Sequence, residues 1–320
     1  MDGRAGDGMI DRLGLGAASI GNLYREVAEH DAEAVLTAAW DEGVRYYDTA
    51  PHYGLGLSER RLGRFLRAKP RDAFRVSTKV GRLLVPNPGA RGGTDEANGF
   101  VVPDDLTRVY DPSESGVRRS LDTSLERLGL DRVDTLFLHD PDVYDLDEGL
   151  RLGLPALAAL REEGVVSQIG IGVNSAAAAA RAVREGDLDV VMIAGRYTLL
   201  EQPALDELLP LCQERGVRVV AVAVFNSGLL ASADPARAHY NYGEVPAELL
   251  ARTERLRQVC SRFGVALPAA AIQYPLRHRA VDTVVVGTAR ASALRENIRH
   301  LQTPVPDDLW AALRDEGLLP

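Results

Sequence analysis

VRYYDTAPHYG (44–54) is the stretch that decides the fold. VRYYD is a short run carrying β-branched Val44 and the aromatics Tyr46 and Tyr47, and it reads as a short buried strand. Asp48 stands at its end, and Tyr53 follows in a turn marked by Pro51 and Gly54. FRVSTK (74–79) and DTLFLH (134–139) end the same way, on Lys79 and His139. An acid, a phenol, an amine and an imidazole at strand C-termini form a proton-transfer set if the strands lie side by side. In an α/β barrel they do, and those ends form the active face.

Working outward, strand-like runs recur at 11–16, 44–48, 74–79, 134–139, 168–173, 190–194, 217–222 and 282–286, separated by helical spacing. In 113–128 the apolar stripe is Val117, Leu121, Leu125 and Leu128. In 58–68 it is Leu62, Phe65 and Leu66, with Ser58 as the expected N-cap. Pro155 and Pro203 mark helix starts, and Gly43, Gly164, Gly186 and Gly216 are expected as left-handed caps. Eight such units fit a closed parallel barrel, a (β/α)8 TIM barrel, better than an open doubly wound sheet. A length of 320 residues suits one barrel domain spanning 1–320. Two long connections, about 81–112 (with Phe100 and Tyr110) and 224–246 (with Asn226, Ser227, Gly228, His239, Tyr240 and Tyr242), are expected to overhang the active face.

The composition is that of a globular protein, 46% hydrophobic and 26% charged. A net charge of −9 argues against nucleic acid or an anionic membrane as partner. With no signal-peptide-like start and no apolar run of ~18 residues, a cytoplasmic location is expected. Cys212 and Cys260 lie among apolar residues, which favours buried free thiols over a disulfide. No H-E-x-x-H, C-x-x-C, G-x-S-x-G or Walker pattern is present, and no metal site is expected. Nothing marks an oligomer interface.

A phenol is a poor acid–base at neutral pH because its unperturbed pKa is about 10. A nearby ammonium favours the phenolate, and a carboxylate holds that ammonium. Tyr53 beside Lys79, with Asp48 behind, supplies this for general acid–base work at a carbonyl or alcohol oxygen, and His139 is placed to hold the same oxygen. Each residue also has an ordinary structural reading: Asp48 as a turn cap, Tyr53 as a core or surface tyrosine, Lys79 reaching solvent, His139 as a loop histidine. The shared position at strand ends favours chemistry.

The run YYDTAPHYGLGLSERRLGRFL (46–66) resembles the aldo-keto reductases, with a strand ending Asp-Thr-Ala, then Tyr-Gly, then a Ser-Glu-x-x-Leu-Gly helix. STKVG (77–81), RSLDTSLERLGLDRVDTLFLHD (119–140), IGIGVN (169–174) and VVVGTARASALRENI (284–298) continue the resemblance along the chain. It implies a (β/α)8 barrel, a nicotinamide cofactor bound without a Rossmann fold, and Asp48, Tyr53, Lys79 and His139 as the catalytic tetrad. It assigns Asn174 and Ser175 to the carboxamide, and Phe225, Ser227, Gly228 and Leu229 to the nicotinamide ring and pyrophosphate. Gly287, Thr288, Arg290, Glu296 and Asn297 fall at the adenosine end. Gly287 and Ala293 stand where NADPH-specific relatives carry Lys and Arg, so NAD is favoured over NADP. LHDPD (138–142), IGVN (171–174), AGRYTLLEQ (194–202) and FNSGLLA (225–231) resemble a bacterial branch holding D-threo-aldose and L-fucose 1-dehydrogenases and a pyridoxal dehydrogenase. The implied reaction oxidises an aldose C1 hydroxyl to a lactone; by their place in the chain, Tyr24, His52 and residues of the 81–112 connection are expected near the sugar. The alternatives are turnover of small aldehydes or pyridoxal, and a redox-sensing regulatory subunit.

Overall fold

The computed structural model describes residues 7–232 and 245–320; His239, Tyr240 and Tyr242 lie outside them. Eight parallel strands close in the order β1 (Leu13–Gly16), β10 (Val281–Gly287), β9 (Arg218–Val222), β8 (Val190–Ala194), β7 (Gln168–Val173), β6 (Thr135–His139), β3 (Arg75–Val80) and β2 (Tyr46–Asp48). This is the (β/α)8 barrel expected, and each of the eight runs read from the sequence contributes one strand. The chief helices of the outer layer are Glu29–Asp41, Leu57–Leu66, Glu114–Leu128, Leu154–Glu162, Ala176–Glu185, Leu208–Arg215, Leu267–Gln273 and Ala291–Gln302, with Ala247–Arg262 and Asp307–Asp315 packed together beside them. No helix among the described residues is long and apolar enough to cross a membrane. Both cysteines are buried and unpaired.

Side chains alternate along each strand, and the alternation sorts two cores. Leu136, Leu138, Val191, Val219, Val284 and Val286 face outward into the large cluster beneath the helices. Tyr46, Phe137, Val190, Met192, Val220 and Val285 form a separate cluster that fills the bore. Two residues on from Tyr46 is Asp48, and two on from Phe137 is His139; both therefore continue the inward face one layer higher. Ser77, whose hydroxyl meets that of Tyr46 at 2.9 Å, plays the same part below Lys79. Strand β7 gives this face room: a Cβ on Gly170 would overlap the Val190 carbonyl and press on the Phe137 ring, and Gly172 faces Lys79.

Several local expectations change. The helix Leu57–Leu66 is preceded by Gly56, in the left-handed region at φ 81°, and Ser58 does not cap it. Ser58 is fully buried, and its hydroxyl instead joins the Ala17 carbonyl and Thr49 at 2.8 Å each. Gly43, Gly164 and Gly216 have positive φ as expected, whereas Gly186 is extended at φ −117°. There a Cβ would lie 2.7 Å from Leu154 Cδ1, so space accounts for that glycine rather than handedness. Pro203 opens a short 3-10 turn, Pro203–Leu205, ahead of the helix Leu208–Arg215. The connection 81–112 is an antiparallel hairpin, β4 (Arg82–Pro86) against β5 (Leu106–Tyr110), with Leu84 opposite Arg108.

Gly63 marks the closest approach of helices Leu57–Leu66 and Glu114–Leu128, since a Cβ there would overlap the Leu128 carbonyl. Backbone cannot yield as a flexible side chain can. Gly63→Ala is expected to destabilise the protein by about 1–3 kcal/mol, the usual scale of overpacking, read as a lower denaturant midpoint with the slope unchanged.

Candidate active site

The barrel brings Asp48, Tyr53, Lys79 and His139 to one end of the bore. Register does most of this: Asp48 lies beside Ser77, Lys79 beside Phe137, and His139 beside Gly172. Lys79 Nζ donates to Asp48 Oδ2 at 2.6 Å and to the Thr49 carbonyl at 3.0 Å. Ser77 Oγ donates to Asp48 Oδ1 at 2.7 Å, so both carboxylate oxygens are engaged. Lys79 and Asp48 are 2% and 3% exposed, an ion pair almost wholly withdrawn from water.

Tyr53 comes from the turn after β2. Its amide donates to the Ala50 carbonyl at 3.1 Å, and its carbonyl accepts from Ser58. Gly54 has φ 62° and packs so close to Gly21 that a Cβ would overlap the Gly21 carbonyl. The Tyr53 ring is thereby held 4.7 Å from Lys79 Nζ and edge-on to His139, with centroids 5.9 Å apart. Burial lifts the Tyr53 phenol above its ordinary pKa; the Lys79 charge opposes this and Asp48 adds to it. Burial alone would lower the Lys79 amine, but Asp48 and Tyr53 lift it above its usual range, so it stays charged. Tyr53 therefore keeps its proton at neutral pH, as a neutral phenol beside a charged ammonium.

Burial, reinforced by Arg82 and Lys79, holds the His139 pKa well below its ordinary value, so the imidazole is neutral. Its Nε2 lies 3.4 Å from Asp140 Oδ2, and its Nδ1 is buried. Neither ring nitrogen makes a hydrogen bond among the described residues, so the imidazole has capacity for an oxygen brought into the site. Asp140 also takes Arg82 Nη2 at 2.6 Å, which ties the hairpin to the end of β6.

Sequence reasoning named Phe100 and the overhanging connection but missed Arg82, Asp95 and Arg108. Arg108 donates Nε to His52 Nδ1 at 2.6 Å and grips both Asp95 oxygens at 2.8 and 2.5 Å. Phe100, 2% exposed, packs edge-on to His52 at 5.3 Å and lies 6.2 Å from the Tyr53 ring. The strand-like runs RLLVP and LTRVY, separated by a Gly/Pro-rich stretch, were the available signal. Tyr24 is 54% exposed, on a loop whose backbone joins the hairpin tip through Tyr24 N to the Gly99 carbonyl, at the rim rather than within the four-residue cluster.

The remaining residues line the ends of β7, β9 and β10. Asn174 is exposed, and Ser175 caps the following helix by accepting from the Ala178 amide at 3.2 Å. Phe225 is half-buried and Ser227 exposed, and Ser227 and Gly228 have φ of 57° and 95°. Leu229 points elsewhere: its side chain is fully buried in the main core and its amide donates to the Asn226 carbonyl. Gly287, Arg290 and Glu296 are exposed, with Thr288 and Asn297 half-buried. Arg290, at the N-cap of helix Ala291–Gln302, makes no capping hydrogen bond, and no acid occupies the first turn. Those amides, beside a cation, suit a phosphate. The residues present fit a dinucleotide.

Comparison with known proteins identifies the family. Residues 12–316 match the Aldo/keto reductase family. A Pseudomonas D-threo-aldose 1-dehydrogenase is 55% identical over 97% of this chain and 95% of its own. The pyridoxal 4-dehydrogenase of Microbacterium luteolum is 40% identical over 97% and 95%. The holo form of aldo-keto reductase AKR11C1 from Bacillus halodurans superposes with a TM-score of 0.76 at 23% identity, covering 97% and 92%. The chain belongs to the aldo-keto reductase family. It is an NAD(P)-dependent oxidoreductase.

Removing one member of the buried pair leaves the other charge uncompensated. Asp48→Asn is expected to cost about 3–5 kcal/mol of stability, measured by denaturant unfolding. Asp48→Asn with Lys79→Met should recover much of that loss without regaining turnover. Recovery of turnover in the double variant would show that the pair is structural only.

Proposed function

We propose that the protein oxidises the C1 hydroxyl of an aldose, such as L-fucose or a D-threo-aldose, to the lactone. The observation that carries the sugar reading is 55% identity, across nearly the whole chain, to a protein named D-threo-aldose 1-dehydrogenase. The chemistry rests on Tyr53, Lys79, Asp48 and His139 meeting at the barrel mouth. Tyr53 in its phenolate form accepts the C1 hydroxyl proton. Lys79 stabilises that phenolate, Asp48 keeps Lys79 charged and in place, and neutral His139 holds the reacting oxygen. A bound nicotinamide supplies the acceptor for the hydride that leaves C1. For the reverse reaction Tyr53 starts as the phenol and acts as acid, so the same residues serve both directions.

Asn174 and Ser175 hold the carboxamide in this proposal, with Phe225, Ser227 and Gly228 along the nicotinamide and pyrophosphate. Gly287, Thr288, Arg290, Glu296 and Asn297 hold the adenosine end. Neither Gly287 nor Ala293 carries a charge for a 2′-phosphate, which supports NAD over NADP. The same proposal takes residues 1–320 as one cytoplasmic barrel domain acting on a small molecule. A second reading, turnover of pyridoxal or small aldehydes, has the support of the relative named pyridoxal 4-dehydrogenase.

A panel of aldoses, pyridoxal and simple aldehydes, assayed in both directions with both cofactors, tests the substrate. Sugar oxidation is expected, and its absence beside fast aldehyde reduction would favour the second reading. The kcat/KM for NAD should exceed that for NADP; a tenfold preference for NADP would overturn the cofactor reading. Tyr53→Phe is expected to lower turnover about 10²–10⁴-fold, the range for losing a general acid–base, with cofactor binding retained by fluorescence quenching. Because the Tyr53 phenol is raised, oxidation should accelerate with rising pH while reduction slows.

A further inference from the structure

The imidazole beside the candidate catalytic phenol has an unusually determined proton. Arginine is always a donor in proteins, so His52 Nδ1, 2.6 Å from Arg108 Nε, must be the acceptor. A neutral imidazole then carries its proton on Nε2. A second Arg108 bond, Nη2 to the His52 carbonyl at 2.8 Å, fixes backbone and ring together. Asp95 holds the guanidinium from behind with two bonds, and its own exposure is 8%. Phe100 closes one side of the ring at 5.3 Å. The other neighbours are the chemistry itself: the His139 ring at 5.6 Å and the Tyr53 ring at 6.1 Å. Burial, with Arg82, Arg108 and Lys79 around it, pushes His52 down to about 2, so no proton reaches Nδ1 at working pH. Among the described residues Nε2 makes no hydrogen bond.

We propose that His52 is a specificity-determining residue, its Nε2–H, held in one tautomer by Arg108, donating to the substrate oxygen next to the reacting one. The site then favours substrates hydroxylated at the carbon beside the one that is oxidised or reduced. This rests on, and deepens, the sugar reading, since an aldose carries a hydroxyl there and a simple aldehyde does not. A fixed donor discriminates more sharply than an apolar wall, because the analogue that lacks the oxygen leaves it unpaired. The inserted hairpin 82–110, remote in sequence from the tetrad strands β2 and β6, acquires a role: it delivers Arg108 and Phe100 to orient one side chain.

Glycolaldehyde and propanal test this, being nearly the same size and differing by the hydroxyl beside the carbonyl. The readout is the ratio of their kcat/KM values in the reduction direction. His52→Leu, which has no donor, should lower the glycolaldehyde-to-propanal ratio at least tenfold. His52→Gln, whose amide nitrogen takes the approximate place of Nε2, should restore most of it. A ratio unchanged in His52→Leu, or a Gln variant no better than Leu, would overturn the proposal. Nitrogen-15 NMR gives a readout independent of turnover, with the His52 signals assigned by their loss in His52→Gln. They should show a protonated Nε2 and bare Nδ1 throughout pH 5–9, and a mixture of tautomers in Arg108→Leu. A protonated Nδ1 in the wild-type protein would overturn it. If wild type fails to oxidise aldoses yet keeps the His52-dependent ratio, the sugar reading falls and the donor role stands; sugar oxidation with a His52-independent ratio is the reverse.

Discussion

A buried ion pair, Lys79 against Asp48 at 2.6 Å, is the constraint on which the site depends. Neither charge is tolerable alone at 2–3% exposure, and two opposite charges are tolerable only when the remaining hydrogen-bonding capacity is met. Ser77 and the Thr49 carbonyl meet it. Tyr46, through Ser77, carries the same network down into the apolar bore. The pair is thus built on packing, and the half-buried phenol stands beside it. Burial raises the Tyr53 phenol and the Lys79 charge pulls the other way, so that charge limits the cost of forming the phenolate.

Much of this was legible in the chain. Short apolar strands ending in Asp48, Lys79 and His139 announced a barrel, and period-two alternation explains why the three converge: Tyr46, Ser77 and Phe137 point inward two residues earlier. The Ser-Glu-x-x-Leu-Gly words read as a family signature but act as structure. Glu59, fully buried, accepts from Thr78 at 2.8 Å and Arg127 at 2.5 Å, and Gly63 lets two helices touch. Ser58 failed as an N-cap because a buried hydroxyl had better partners across the barrel top than the first turn of its own helix. Local capping preferences lose to such tertiary contacts.

What stayed hidden involves pairs distant in sequence and undeclared by any local pattern. Arg108 reaches His52 across 56 residues, and Arg82 reaches Asp140 across 58. Each arginine sits in a polar, glycine-rich connection where an exposed side chain is the default. Only when the hairpin folds over the barrel mouth does each find a carboxylate and lose its water. Leu229, which the family resemblance assigns to the pyrophosphate, turns its side chain into the core. The insertion therefore acts as part of the site wall, with Arg82 steadying the carboxylate beside His139 and Arg108 steadying the imidazole beside Tyr53.

The most direct test is the ionisation of residue 53 itself. The ultraviolet difference between wild type and Tyr53→Phe near the phenolate absorption band isolates this one phenol, and the same subtraction can be made in a Lys79→Met background. If the Lys79 charge governs the phenol, its titration must move to higher pH when that charge is removed. Coincident titrations in the two backgrounds would contradict the account.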